Sequence, residues 1–198
     1  MNPNFRSNDV IVNRPKDEVR SLLAQHYSEA VARRGMRVNV NEATRCIDIA
    51  AEYLTSASPK QWLFLSGNVG TGKTTLLYAI GKTLTDCNVL WRMFPASDFP
   101  KLFLNNVEQT ERQLLRGDWC KVLLLDDIGV GQTEIKEYGN IVQPFIKIVE
   151  ERYNRRLPLI VSTNLDGSAM IERYGQRAAD RIKEMAVAIK YEGKSFRK

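Results

Sequence analysis

The chain has 198 residues, enough for one α/β domain with a real core and a short appendage. With 43% hydrophobic and 26% charged residues it has a globular composition rather than a disordered or fibrous one, and no apolar run approaches the length of a bilayer span. The net charge of +6 is unevenly spread, with net +2 over residues 1–60, −2 over 61–151 and +6 over 152–198, so the last quarter either attracts nucleic acid phosphate or turns some of its arginines to a smaller bound phosphate compound.

Cys46, Cys87 and Cys120 are odd in number and widely spaced. That pattern suggests neither a disulfide framework nor a C-x-x-C metal site, and each is expected to be a buried thiol. His26 stands alone in a helical pattern and is assigned a structural part. The first residues lack the apolar segment of a signal peptide, so a cytoplasmic location without a membrane partner is expected.

Residues 1–14 lack periodicity and read as a mobile arm. Pro15 suits the first turn of a helix, and Asp17 and Glu18 suit the positive end of its dipole. Val19, Leu22, Leu23, Tyr27, Ala30 and Val31 follow at helical spacing, and Arg33-Arg34-Gly35 supplies a stop. This stripe either packs on its own domain or docks a partner protein. Asn41 is predicted to cap a second helix with the apolar face Cys46, Ile47, Ile49, Ala50, Tyr53 and Leu54, which breaks at Thr55-Ser-Ala-Ser-Pro59.

Strands are then expected near 61–66, 88–94, 121–126, 158–163 and 186–191, alternating with helices near 73–86, 97–115, 140–155 and 167–184. The alternation predicts an α/β fold, a parallel sheet with helices on both faces. The segment 97–115 is long for one crossover helix, with a break expected near Asn105. Pro144 places a short separate turn at 134–139 and the main helix from about 141. An N-terminal arm and helix over 1–40 would thus precede an α/β domain over 41–198.

Four stretches carry chemistry. Gly67-Asn68-Val69-Gly70-Thr71-Gly72-Lys73-Thr74-Thr75 fits G-x-x-x-x-G-K-[ST], between an apolar strand pattern and a helical one. The glycines let backbone N–H groups turn inward as an anion nest, Lys73 would reach the β- and γ-phosphates, and the Thr74 hydroxyl would ligate Mg²⁺. The plainer alternative is a glycine turn. Val122-Leu-Leu-Leu-Asp126-Asp127 is a buried strand ending in carboxylates. Asp126 would hold the Mg²⁺ shell and Asp127 would orient or deprotonate the attacking water. Leu159-Ile-Val-Ser162-Thr163-Asn164 is a second such strand, whose Thr or Asn would sense the γ-phosphate; alternatively, Asn164 starts a turn or caps the next helix. Arg177 and Arg181 lie four apart on one helix face. Such an arginine either reaches a neighbouring subunit's γ-phosphate or sits on the surface paired with Asp180 or Glu184.

In this order, Gly67–Thr74, Leu123–Asp127, Ser162-Thr-Asn164 and Gln176-Arg-Ala-Ala-Asp-Arg-Ile182 resemble the AAA+ ATPases of the bacterial helicase-loader group. That group includes the DnaC and DnaI loaders and the transposition helper IstB, and the resemblance covers about residues 40–198. It implies a P-loop NTPase three-layer sandwich with a five-stranded parallel sheet and no C-terminal helical lid, in line with the 17 residues that follow Arg181. It also implies ATP and Mg²⁺ as ligands, and a homo-oligomer joined through the ATP interface. Arg177 would be the arginine finger acting on an adjacent protomer, with Arg181 on the same helix. Lys194-Ser-Phe-Arg197 resembles the segment that carries the family's sensor 2 arginine, so Arg197 is a candidate γ-phosphate contact. Where the family often has Asp-Glu this chain has Asp126-Asp127, whose shorter side chain is expected to slow hydrolysis. The function implied is an ATP-dependent ATPase acting on DNA, single-stranded DNA favoured, that loads a replicative helicase. The alternatives are a transposase-helper ATPase on duplex DNA, with a transposase as partner, and a nucleotide-gated adaptor with little turnover. A small-molecule kinase is disfavoured by the Arg177 segment.

Overall fold

The computed structural model describes residues 10–35, 38–105, 117, 120–137 and 140–192. Its centre is a five-stranded parallel sheet built from β1 (Trp62–Gly67), β2 (Trp91–Pro95), β3 (Val122–Ile128), β6 (Leu159–Thr163) and β7 (Ala186–Tyr191), in the spatial order β2-β3-β6-β1-β7. Alternation along these strands divides the core in two, because successive side chains point to opposite faces. Leu63, Leu65, Val122, Leu124 and Ile160 pack on one face with α1 (Lys16–Arg34), α2 (Val40–Thr55) and α3 (Lys73–Asp86). Trp62, Leu123, Leu125, Leu159 and Val161 pack on the other with α4 (Phe99–Asn105), α5 (Pro144–Asn154), α6 (Gly167–Tyr174) and α7 (Gln176–Met185). The three-layer α/β sandwich is thus present, with helices on both faces.

The helix α1 belongs to this core. Val19, Leu23, Tyr27 and Ala30 are buried, and Gly35 in a left-handed conformation closes the helix, its N–H bonding Val31 and Ala32 carbonyls. His26 pairs with Asp86 at 2.6 Å across to the end of α3, a structural tie. Of the expected mobile arm, residues 1–9 lie outside the described residues, whereas Ile11 and Val12 are buried and the Val12 N–H donates to the Leu54 carbonyl. Those two apolar side chains fasten the segment before Pro15 beneath α2. Cys46 and Cys120 are buried as expected, but Cys87, in the turn after α3, is only half-buried.

Several boundaries differ from the sequence expectation for local reasons. The cap of α2 is Asn39 rather than Asn41, since its side chain accepts the N–H groups of Asn41 and Glu42. Pro144 stands at the first position of α5, where its missing N–H costs nothing; residues before it form a hairpin of β4 (Ile135–Glu137) and β5 (Asn140–Val142) instead of a turn and the start of a helix. The helix expected near 167–184 is two helices, parted at Gly175 with φ 82°. The segment at 97–115 begins with a 3₁₀ turn at Ala96–Asp98 and continues as α4 to Asn105; residues 106–115 lie outside the described residues.

Because Leu23 is fully buried in the core where α1 packs on α3 and α2, Leu23→Ala should lower the unfolding free energy by about 2–5 kcal/mol. Leu90→Ala, at a residue 68% exposed, should change it by less than about 0.5 kcal/mol. Urea unfolding of the two variants measures both.

Candidate functional site

The order of the sheet sets β6 between β1 and β3, so the C-terminal ends of three strands distant in sequence meet. β1 runs into the glycine loop and α3. Gly67, Gly70 and Gly72 all take positive φ, at 144°, 81° and 100°. At two of them space is as restrictive as conformation. A Cβ on Gly67 would lie 2.6 Å from the Tyr191 carbonyl oxygen, and one on Gly72 would lie 2.8 Å from the Tyr27 hydroxyl. Burial, with Cys46 and Glu42 adding to it, pushes the Tyr27 phenol up to about 12, so it stays neutral beneath the loop.

Lys73 is buried, and its ammonium donates to the carbonyl oxygens of Gly67 and Asn68, both at 2.7 Å. The lysine therefore holds the loop's curvature from inside. Thr74, the next residue, donates its hydroxyl to Asp126 Oδ1 at 3.1 Å, and Ser162 donates to the same oxygen at 2.5 Å. One carboxylate oxygen thus joins α3, β3 and β6. The Ser162 hydroxyl in turn accepts the Asp127 N–H at 2.9 Å.

Asp126 and Asp127 are consecutive, and in a regular strand they would face opposite sides of the sheet. They line one cleft because β3 is bulged. The register with β6 moves from Leu125–Val161 to Ile128–Thr163, three residues against two, and Asp127 takes φ 54°. A non-glycine residue in the left-handed region costs about 1–3 kcal/mol and persists where its surroundings over-determine it. Here the surroundings are side chains replacing ladder bonds, Ser162 for Asp127 and Thr163, which donates to the Ile128 carbonyl at 2.5 Å and accepts the Leu165 N–H.

These residues surround a cleft of about 600 Å³ lined by the loop, Thr74, Thr75, Asp126, Asp127, Val130, Asn164 and Arg34. Asn164 Oδ1 is buried without a hydrogen-bond partner at its edge. The next helix is capped instead by Asp166, whose side chain accepts the Ala169 N–H, so the capping alternative for Asn164 does not hold. Thr163 is fully buried and fastened to Ile128, which removes it as the alternative sensor. Among the described residues no group of three or more His, Cys, Asp or Glu side chains forms a metal cage. One hydroxyl and one carboxylate sharing an oxygen contact are instead the sparse, hard donor set that suits Mg²⁺, which keeps waters and takes phosphate oxygens for the rest.

Arg177 lies apart from this cleft. It is 77% exposed, with its side chain 3.5 Å from Glu150 on α5. The partners expected from sequence are otherwise engaged, Asp180 with Gln176 and Glu184 with Tyr153. Arg181 is mostly buried, pairs with the same Glu150 at 3.0 Å and covers the Tyr153 ring. Arg197 lies outside the described residues. Sequence reasoning missed the part played by Ser162, taken only as a strand residue, and that of Arg34, taken as a helix stop. Neither has a local signal, since both act on residues far away in the chain.

No protein-family profile matches the chain, and no curated protein matches it in sequence. Solved structures do. DnaI superposes with a TM-score of 0.64 and 23% identity, over 90% of this chain and 93% of that one. The DnaC helicase loader gives 0.61 and 19%, over 79% and 93%. AMPPCP-bound DnaA from Aquifex aeolicus gives 0.61 and 19%, over 79% of this chain and 48% of that one. At these identities the likeness is one of fold. The chain has the AAA+ P-loop fold, in the form shared with the DnaI and DnaC loader structures.

Ser162→Ala removes a donor to buried Asp126 and the acceptor of the Asp127 N–H together. It should destabilise the protein by about 1–3 kcal/mol in urea unfolding, the cost of stranding buried polar groups. Ser162→Thr, which keeps the hydroxyl, should recover part of that loss.

Proposed function

We propose that this protein is an ATP-dependent AAA+ ATPase that acts on DNA as a loader of a replicative helicase, working as an oligomer in the cytoplasm. The observation that carries the nucleotide reading is the oxygen of Asp126 shared by Thr74 and Ser162 at the mouth of the glycine loop. The loader reading rests on fold likeness to structures of DnaI and the DnaC helicase loader.

In this reading Gly67, Asn68, Val69, Gly70, Thr71, Gly72 and Thr75 cradle the phosphates of ATP with Lys73. Thr74 and Asp126 hold Mg²⁺, which when bound supplies charge neutralisation for the phosphates. Asp127 orients the attacking water and accepts its proton, while Asn164, with an unpartnered oxygen at the cleft edge, positions that water against the terminal phosphate. A carboxylate one methylene shorter than glutamate, on a strained backbone, favours slow turnover. The same features support the second reading, a nucleotide-gated adaptor that scarcely hydrolyses ATP.

Arg177 is proposed to complete the site of an adjacent protomer. Its exposure, with only a 3.5 Å ion pair to Glu150 among the described residues, leaves it presentable to a second copy, and a guanidinium placed on a transferring phosphoryl group accelerates the reaction by orders of magnitude. Arg181 shares its helix and carries the Glu150 pair, and Arg197 remains a candidate γ-phosphate contact from the C-terminal segment. For DNA, exposed basic residues of the last quarter, among them Arg156, Lys183 and Lys190, are candidate phosphate contacts, with a single strand as the favoured substrate. No helix among the described residues is long and apolar enough to cross a membrane.

Lys73→Ala should abolish ATP binding in a fluorescent-nucleotide titration. Arg177→Ala should bind ATP as the wild type does but lose at least about tenfold of the hydrolysis seen with single-stranded DNA. An unchanged rate in the second variant would remove the finger role, and a wild-type rate and self-association indifferent to DNA would remove the DNA reading.

A further inference from the structure

We propose that Arg34 is a nucleotide-binding residue, with its guanidinium on the α-phosphate flank of the ligand, and that α1 is thereby part of the nucleotide site. The proposal rests on the triphosphate reading of the cleft and adds to it a contact from outside the glycine loop.

The packing of α1 on α3 puts two of its side chains against that loop. The Tyr27 hydroxyl fills the space beside Gly72. Arg34 follows seven residues later, about two helical turns, and so lies on the same face. It lines the cleft, and its Nη1 donates to Thr75 Oγ1 at 3.3 Å. Its guanidinium also sits 5.9 Å from the ring centroid of the exposed Tyr78, one turn along α3. The left-handed Gly35 ends α1 immediately after it, so this arginine occupies the final turn, beside the first turn of α3.

Position along the ligand follows from the two threonines. Side chains of successive helical residues diverge by about 100°. Thr74 faces Asp126, on the side where Mg²⁺ and the terminal phosphate belong, whereas Thr75 faces Arg34. Arg34 therefore stands about 100° around the helix from Asp126, away from the terminal phosphate and toward the first. Charge points the same way. The cleft's cationic linings are Lys73 and Arg34 and its carboxylates are Asp126 and Asp127. Lys73 serves the phosphates from within the loop, whereas Arg34 lines the cleft from α1, and its planar fork is the donor geometry that matches a phosphate best.

The test is titration of the full chain with fluorescent ATP and ADP. Arg34→Ala should weaken both by the same factor, about tenfold, because both carry the α-phosphate. Arg34→Lys, which keeps charge and packing, should fall between and is the variant to use should the alanine protein melt early. Both nucleotides binding within twofold of the wild type, or a loss confined to ATP, would overturn the assignment. Lys73→Ala separates the two levels of the argument. A wild type that binds neither nucleotide defeats the triphosphate reading itself, whereas one that binds both, loses them with Lys73→Ala and keeps them with Arg34→Ala defeats the Arg34 inference alone.

Discussion

One oxygen atom organises this protein. Asp126 Oδ1 receives the hydroxyls of Thr74 and Ser162, and so ties the helix after the glycine loop to the two central strands. A carboxylate this deeply buried is costly unless its lone pairs are engaged, and two hydroxyl donors engage them without neutralising the charge. That leaves a negative group at the mouth of the loop, as a phosphate-bound divalent cation requires. The same network reaches Asp127 through Ser162 and fixes the bulge that turns both carboxylates to one side.

The rest of the fold serves that junction. Placing β6 between β1 and β3 brings Ser162 within reach of the Asp126 carboxylate and the Asp127 N–H, and the two apolar cores hold the strands in register from either face. The N-terminal helix, far from being a handle on the surface, fills one side of the loop with Tyr27 and Arg34. Within the cleft, backbone strain falls on Asp127, whose left-handed backbone is held by Ser162 and by the neighbouring grip of Thr163 on Ile128. Strain so localised, at the residue assigned to the attacking water, fits a site whose geometry is set before the nucleotide arrives.

How much of this was legible in the chain varies with range. Gly67–Thr75 and Asp126-Asp127 declared themselves because loop and strand-end chemistry is written in consecutive residues, and the five strands followed from apolar runs. Asn39 was missed as a cap in favour of Asn41, two residues on, because both types suit the position and only the backbone decides. Pro144 revealed a helix boundary but not the hairpin before it, whose short strands carry little alternation. Ser162 and Arg34 were opaque for a different reason. Each acts across the fold, on Asp126 and Asp127 or on Thr75, and no spacing in a single sequence encodes those meetings. Glu150 as the partner of Arg177, in place of Asp180 or Glu184, belongs with them, since the pairing joins α5 to α7.

If the nucleotide site is shared between copies of the chain, two defective copies should repair each other. Lys73→Ala and Arg177→Ala proteins, each impaired alone with ATP, Mg²⁺ and single-stranded DNA, should regain hydrolysis when mixed, because some interfaces then pair an intact loop with an intact arginine. A mixture no more active than the sum of its parts would contradict the account, and would leave Lys73 and Arg177 without a common site.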